Sequence, residues 1–190
     1  MDSEIQKLVK ITKSKQNMKK RTNVNKHSLK YLINRNMTQS ECIRLGIFLE
    51  KVLKDIVLKF TKLRDINTDK NKKNTMEKDH LFIDDTNKKI YYAELKSNMY
   101  LDTEKRIATE LKIHKIVNEL QEKYQEYQIV ASFVCLRYLV IPMSITKMYT
   151  ITVISVNEYL NIIGCDVKFD EVEYYKFLNF CCDTLFDELE

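Results

Sequence analysis

Glycine and proline are nearly missing from this chain: there are 2 and 1 in 190 residues, and no tryptophan. Two glycines cannot build a Gly-rich loop around a phosphate, and the sequence has neither a Walker lysine motif nor a dinucleotide fingerprint. No run approaches the ~18 apolar residues of a membrane-spanning helix. The N-terminus is polar and basic without an apolar h-region, so no secretory signal is expected, and the expected compartment is the cytoplasm. The five cysteines are odd in number and form no CxxC pair, which fits reduced thiols. The adjacent Cys181 and Cys182 read as small core residues rather than a redox pair.

What is present describes one globular domain. Hydrophobic residues make up 44% and charged residues 31%, and the length suits a single sizeable core over 1–190. Charge is polarised. Residues 1–36 carry ten Lys and Arg against Asp2 and Glu4, whereas 165–190 carry eight acids against Lys168 and Lys176. A basic N-terminal segment suits a polyanionic partner. A Lys- and Asn-rich composition also follows from AT-rich coding, so charge alone does not decide the function.

The pattern along the chain predicts alternating helices and strands. Residues 1–36 form a basic, weakly helical segment. "TQSE" at 38–41 is a capping box, and a long helix is expected from there to about residue 63. Residues 64–75 read as a loop. Strands are expected at 79–84 and 89–96, then a helix from Asp102–Thr103 to about 125. An apolar β-rich run at 128–140 ends before Pro142, and 148–155 reads as another strand. A short helical stretch reaches Gly164. Asp170, with Glu173 three residues on, begins the last helix. The fold class is therefore α/β: a mixed central β-sheet flanked by helices, with a long N-terminal helix and a C-terminal helix.

The two short strands carry the chemistry. "DDTNKK" at 84–89 is rich in turn formers. If Asp84 and Lys89 are the last paired residues, Asp79 lies across from Glu94, with Cβ atoms about 5 Å apart on one face. That face reads Asp79, Leu81, Ile83 on one strand and Ile90, Tyr92, Glu94, Lys96 on the other. Phe82, Tyr91, Ala93 and Leu95 occupy the opposite face, so both sides of the sheet should be covered. Two opposed carboxylates near an apolar surface repel each other and are costly to desolvate. A hard divalent cation such as Mg²⁺ relieves this, with Lys96 standing beside it. That is the equipment of metal-assisted phosphodiester hydrolysis. A structural salt-bridge network among Glu94, Lys96 and Glu77 satisfies the same residues.

Asp79, then Glu94-Leu95-Lys96 beginning fifteen positions on, within the stretch "DHLFIDDTNKKIYYAELKSNMYLDTEK", resemble the core of the PD-(D/E)xK nucleases. Within that superfamily the likeness is to a small type II restriction endonuclease, and it covers about residues 38–140, the expected catalytic core. Lys78 stands where the motif has proline. The resemblance implies a restriction-endonuclease-like core that cleaves double-stranded DNA at a short specific sequence. It implies Mg²⁺ bound by Asp79 and Glu94, and Lys96 as a catalytic residue. It also implies a protecting DNA methyltransferase in the same host. A junction resolvase or repair nuclease with the same core, or a non-catalytic DNA-binding protein, are the alternatives.

In this family the first core helix often adds an acid, and "RLGIFLE" at 44–50 is similar. Glu50 shares a helical stripe with Ile43, Gly46, Ile47, Leu53 and Val57, so it is expected to face inward as a further catalytic or supporting acid; the alternative is a salt bridge to Lys54. Gly46 would let another backbone come close. Asn98 and Lys105 leave the sheet just after the catalytic strand and are candidate DNA contacts, although Lys105 and Asp102 serve equally as cap and surface charge. His80 alternates away from the acids and is expected behind the sheet. His114 falls on the stripe Ile107, Leu111, Val117, Leu120, Tyr124 and is expected in the core. Arg137 and Tyr138, at the end of the third strand, suit base readout or packing. The last helix, 170–188, is apolar over more than one face, which suggests a homodimer seam.

Overall fold

The computed structural model describes residues 2–14, 33, 37–67, 76, 78–97 and 99–186. Among these, the elements run α1 (Ser3–Ser14), α2 (Gln39–Phe60), β1 (Arg64–Asp65), β2 (His80–Asp84), β3 (Lys89–Lys96), α3 (Thr103–Lys123), β4 (Gln128–Cys135), α4 (Met143–Thr146), β5 (Val153–Ser155), α5 (Val156–Ile162) and α6 (Glu171–Phe186). The class is α/β, as the pattern predicts. No helix among the described residues is long and apolar enough to cross a membrane.

The strands form one sheet in the order β1-β2-β3-β4-β5. β1, β2 and β3 pair antiparallel; β3, β4 and β5 pair parallel. The hairpin has the expected register, with Asp84 opposite Lys89 and His80 opposite Ala93. Its turn contains no glycine, and Lys88 takes the left-handed conformation (φ 51). Asp84 compensates by accepting from the backbone of Thr86 and Asn87 and from the Asn87 amide.

Period-two alternation divides the strands between two cores. Phe82, Tyr91, Ala93 and Leu95 pack with α1, α2, α5 and α6. Leu81, Ile83, Ile90 and Tyr92 pack with α3 and α4. The capping box on α2 forms as written: Thr38 and Glu41 exchange side chain-to-backbone bonds. The helix ends three residues before expected, where the Thr61 hydroxyl turns back onto the Val57 carbonyl. Asp170 and Glu173 form the same reciprocal pair at α6.

Four expectations are corrected. Residues 64–65 are a short strand against β2 rather than loop. The run 128–140 leaves the sheet after Cys135, because β3 ends at Lys96; the Leu136 carbonyl is taken by the Tyr174 hydroxyl. The strand expected at 148–155 spans only Val153–Ser155, since Thr150 is held by Glu110 and the Tyr149 hydroxyl donates to the Met99 carbonyl. Finally, α6 is indeed apolar on more than one side, but α1 and α2 of the same chain cover it: Tyr174, Phe177, Leu178, Cys181, Cys182 and Leu185 are buried. Val172, at the start of the helix, stays 60% exposed.

Of the basic N-terminal segment, residues 3–14 are helical. Ile5 and Val9 are buried, and Thr12 donates to Asp55. Its remaining lysines, and His27, lie outside the described residues.

Candidate active site

The site lies where β3 ends, at the carboxyl edge of the parallel half of the sheet. Asp79 immediately precedes β2, one residue beyond the last paired residues of the hairpin, His80 and Ala93. Its Oδ2 accepts from the Leu95 backbone N–H at 2.7 Å. Burial, and behind it the negative charge of Glu94, pushes the Asp79 carboxyl up to about 6. The two acids thus interact electrostatically.

Glu94 is 3% exposed at its side chain and fully engaged. Oε1 accepts from Lys96 Nζ at 2.7 Å and Lys112 Nζ at 2.9 Å; Oε2 accepts from Lys112 Nζ at 2.8 Å and the Tyr92 hydroxyl at 2.9 Å. Burial works to raise this carboxyl, but the two ammonium groups outweigh it and hold it below its ordinary value. Lys96 is the counterpart. Burial works to lower its pKa, yet Glu94, then Asp79 and Glu50, raise it. Lys96 is consequently a firmly protonated ammonium, suited to donate hydrogen bonds or offset negative charge, not to abstract a proton.

Glu50 sits on α2 beside the same groove, a concavity of about 370 Å³ bordered by Ile43, Gly46, Ile47, Glu50, Asp79 and Lys96. Its backbone carbonyl accepts from His80 Nε2 at 2.8 Å, and His80 Nδ1 meets the Tyr159 hydroxyl at 2.7 Å. A carbonyl only accepts, so Nε2 carries the proton and Tyr159 donates to Nδ1. His80 is thus behind the sheet, as expected, and ties α2 to β2 at the level of the site. Lys54, the proposed partner of Glu50, pairs with Asp65 at 2.7 Å.

The stripe through Glu50 is not wholly inward. Leu53 and Val57 are buried, but Ile43 and Ile47 are 56% and 46% exposed. The buried face of α2 runs instead through Cys42, Leu45, Phe48, Leu49, Val52 and Leu53, so Ile43 and Ile47 lie beside it and form a wall of the groove. Nothing lies within 4 Å of a Cβ built on Gly46, so the close backbone expected there is not part of this fold.

Other expectations resolve as follows. Asn98 lies outside the described residues. Lys105 is exposed and pairs with Asp102 at 2.8 Å, while Asp102 caps α3 by accepting from the Lys105 backbone. His114 is exposed, not in the core; Ile113, Ile116 and Leu120 form the buried face of α3, while Ile107 and Leu111 face solvent. Arg137 stacks on the Tyr138 ring at 5.1 Å, at the edge of a separate cleft bordered by Tyr174 and Tyr175. All five cysteines are buried free thiols.

The sequence reading missed Lys112. Phasing α3 through Ile113, Ile116 and Leu120 places Lys112 on the edge of the sheet-facing side; phasing it through Leu111 and His114 hides it.

Asp79 and Glu94 supply hard carboxylate oxygens, the donor chemistry that Mg²⁺ takes with water completing its shell. Burial, and behind it the charge of Glu94, disfavours the ionised Asp79 carboxylate, and a bound cation would offset both. Among the described residues no group of three or more His, Cys, Asp or Glu is placed to hold a metal, so the protein would offer two acids rather than a full cage. No family model, curated protein or solved structure matches the chain.

Proposed function

We propose that this protein is a Mg²⁺-dependent endonuclease of the PD-(D/E)xK type that hydrolyses phosphodiester bonds in double-stranded DNA, acting as a type II restriction enzyme. The observation that carries the reading is the gathering of Asp79, Glu94 and Lys96 at the open end of the hairpin: Asp79 accepts from the Leu95 N–H, Lys96 donates to Glu94, and Glu50, Asp79 and Lys96 border one groove. Carboxyl edges of parallel strands are where open α/β sheets place their ligands.

Asp79 and Glu94 would hold the ion through carboxylate oxygens. When bound, it supplies charge neutralisation at the phosphate and polarisation of water. Lys96, protonated, donates toward the attacking water or the negative charge that grows on the phosphate. Glu50, after Glu94 and Asp79, adds negative charge that keeps Lys96 protonated. The groove between α2 and the end of β3 admits the strand being cut. Lys105, exposed at the start of α3, is a candidate contact to the DNA backbone, as is Asn98. A homodimer would present one such site to each strand of a palindrome, and a methyltransferase in the same host would protect its DNA.

The test is digestion of a sequenced plasmid with MgCl₂, with the ends mapped. Discrete fragments support restriction; preferential cutting of four-way junctions over linear duplex points to a resolvase of the same core. Undiminished cutting by folded Glu94→Ala would refute the assignment. A second reading has its own observation: Glu94 already has Lys96 and Lys112 as partners, which is what a purely structural ion network in a DNA-binding protein requires. Under that reading Glu94→Ala leaves DNA binding unchanged and Mg²⁺ has no effect.

A further inference from the structure

Lys112 reaches the site from α3, which packs on the Ile90 and Tyr92 face of the hairpin, and spans both oxygens of Glu94 at 2.9 and 2.8 Å. With Lys96 and the Tyr92 hydroxyl, four donor contacts fall on a carboxylate that has about four acceptor positions. Any cation that Glu94 binds must take a position from one of these donors. Tyr92 is completely buried, and its hydroxyl would be left without a partner. Lys96 is two residues away on the same strand face and donates to Oε1 alone. Lys112 is tethered from another element by a flexible four-carbon stem, and its side chain is 26% exposed. The Lys96 side chain is 31% exposed, but only Lys112 occupies both carboxylate oxygens, so its departure frees a position on each.

We propose that Lys112 competes with the divalent cation for Glu94 and, once displaced, turns to the substrate as a second phosphate-binding ammonium beside Lys96. This rests on the nuclease reading above. Like charges cannot share one carboxylate without repulsion, so cation binding and the Lys112–Glu94 pair oppose each other. Formal charge favours the exchange. Glu50, Asp79 and Glu94 against Lys96 and Lys112 leave the site at −1 when all are ionised. One divalent cation and one phosphodiester then bring it to neutrality, but only if Lys112 stays nearby.

The experiment is calorimetric titration of the full chain with MgCl₂ and CaCl₂, without DNA, for wild type, Lys112→Met and Lys112→Arg. Lys112→Met removes the competitor and should bind both ions at least about fivefold more tightly. Lys112→Arg pairs with a carboxylate through a bidentate fork and should bind them more weakly. In CaCl₂, Lys112→Met should also lose about fivefold or more in affinity for duplex DNA. Unchanged ion affinity in both folded variants overturns the proposal. Tighter ion binding with unaltered DNA affinity overturns its second half. If Lys112→Met does not fold, Lys112→Arg alone decides. Wild type that binds neither ion at millimolar concentration defeats the nuclease reading itself, a result distinct from variants that fail to move a real binding curve.

Discussion

His80 Nε2 donates to the Glu50 carbonyl at 2.8 Å, joining the first residue of β2 to the middle of α2. The imidazole is fully buried, and its other nitrogen accepts from Tyr159. One side chain therefore sets the distance between the helix carrying Glu50 and the strand following Asp79.

Replacing His80 with Leu orphans the buried Tyr159 hydroxyl and removes the tie to α2. Stability should fall by about 1–3 kcal/mol, measured by urea denaturation. Cleavage should slow as well, since Glu50 loses its anchor. An unaltered denaturation midpoint would show that the tie contributes nothing.

Asp79→Asn separates stability from function. The amide keeps an acceptor for the Leu95 N–H and removes the charge that burial and Glu94 disfavour. At pH 8 the variant should be more stable than wild type by on the order of 1–3 kcal/mol. It should cut no DNA. A melting temperature below that of wild type would argue that Asp79 is favourably paired rather than repelled.

Two groups titrate against each other in mildly acid solution. The folded state favours protonated Asp79, so its contribution is present below pH 3.8 and lost as pH rises through about 6. It favours neutral His80, so that contribution is full above pH 6.5 and lost as pH falls through about 4. Relative to wild type, Asp79→Asn should gain stability as pH rises across this window, and His80→Leu should lose it. Denaturation curves at pH 4.5, 5.5 and 6.5, values spaced across roughly that interval, read out both signs. Parallel pH dependence in all three proteins would contradict the two assignments.

Gly46 weakens α2 without a packing reason, since an added Cβ meets nothing within 4 Å. Gly46→Ala should raise stability by about 0.5–1 kcal/mol. Gly46→Leu, which projects a large side chain into the groove, should reduce cleavage while the protein stays folded. Full activity in Gly46→Leu would mean that substrate does not approach this wall.

The hairpin was legible because two independent signals agree. Alternation of period two assigns Leu81, Ile83, Ile90 and Tyr92 to one side, and the DDTNKK turn fixes which residues oppose. Together they bring Asp79 to Glu94. The phase of α3 was not legible, because Ile107 and Leu111 are apolar yet exposed, and they draw the stripe away from Ile113 and Ile116. That shift conceals Lys112 and misplaces His114. The start of β5 was hidden for another reason: Tyr149 and Thr150 have strand-forming side chains, but their bonds go to Met99 and Glu110. Sequence periodicity records which residues suit a strand, not which neighbour claims them first.

The outermost strands of the sheet have consequences for self-association. β1 is two residues long and β5 is three. Ladders so brief give an incoming chain little backbone to extend, which guards against runaway strand addition and fibre growth. If two copies do meet over a palindrome, their contact must be made by side chains on helices and loops, and point substitutions there should dissolve it without disturbing either hairpin.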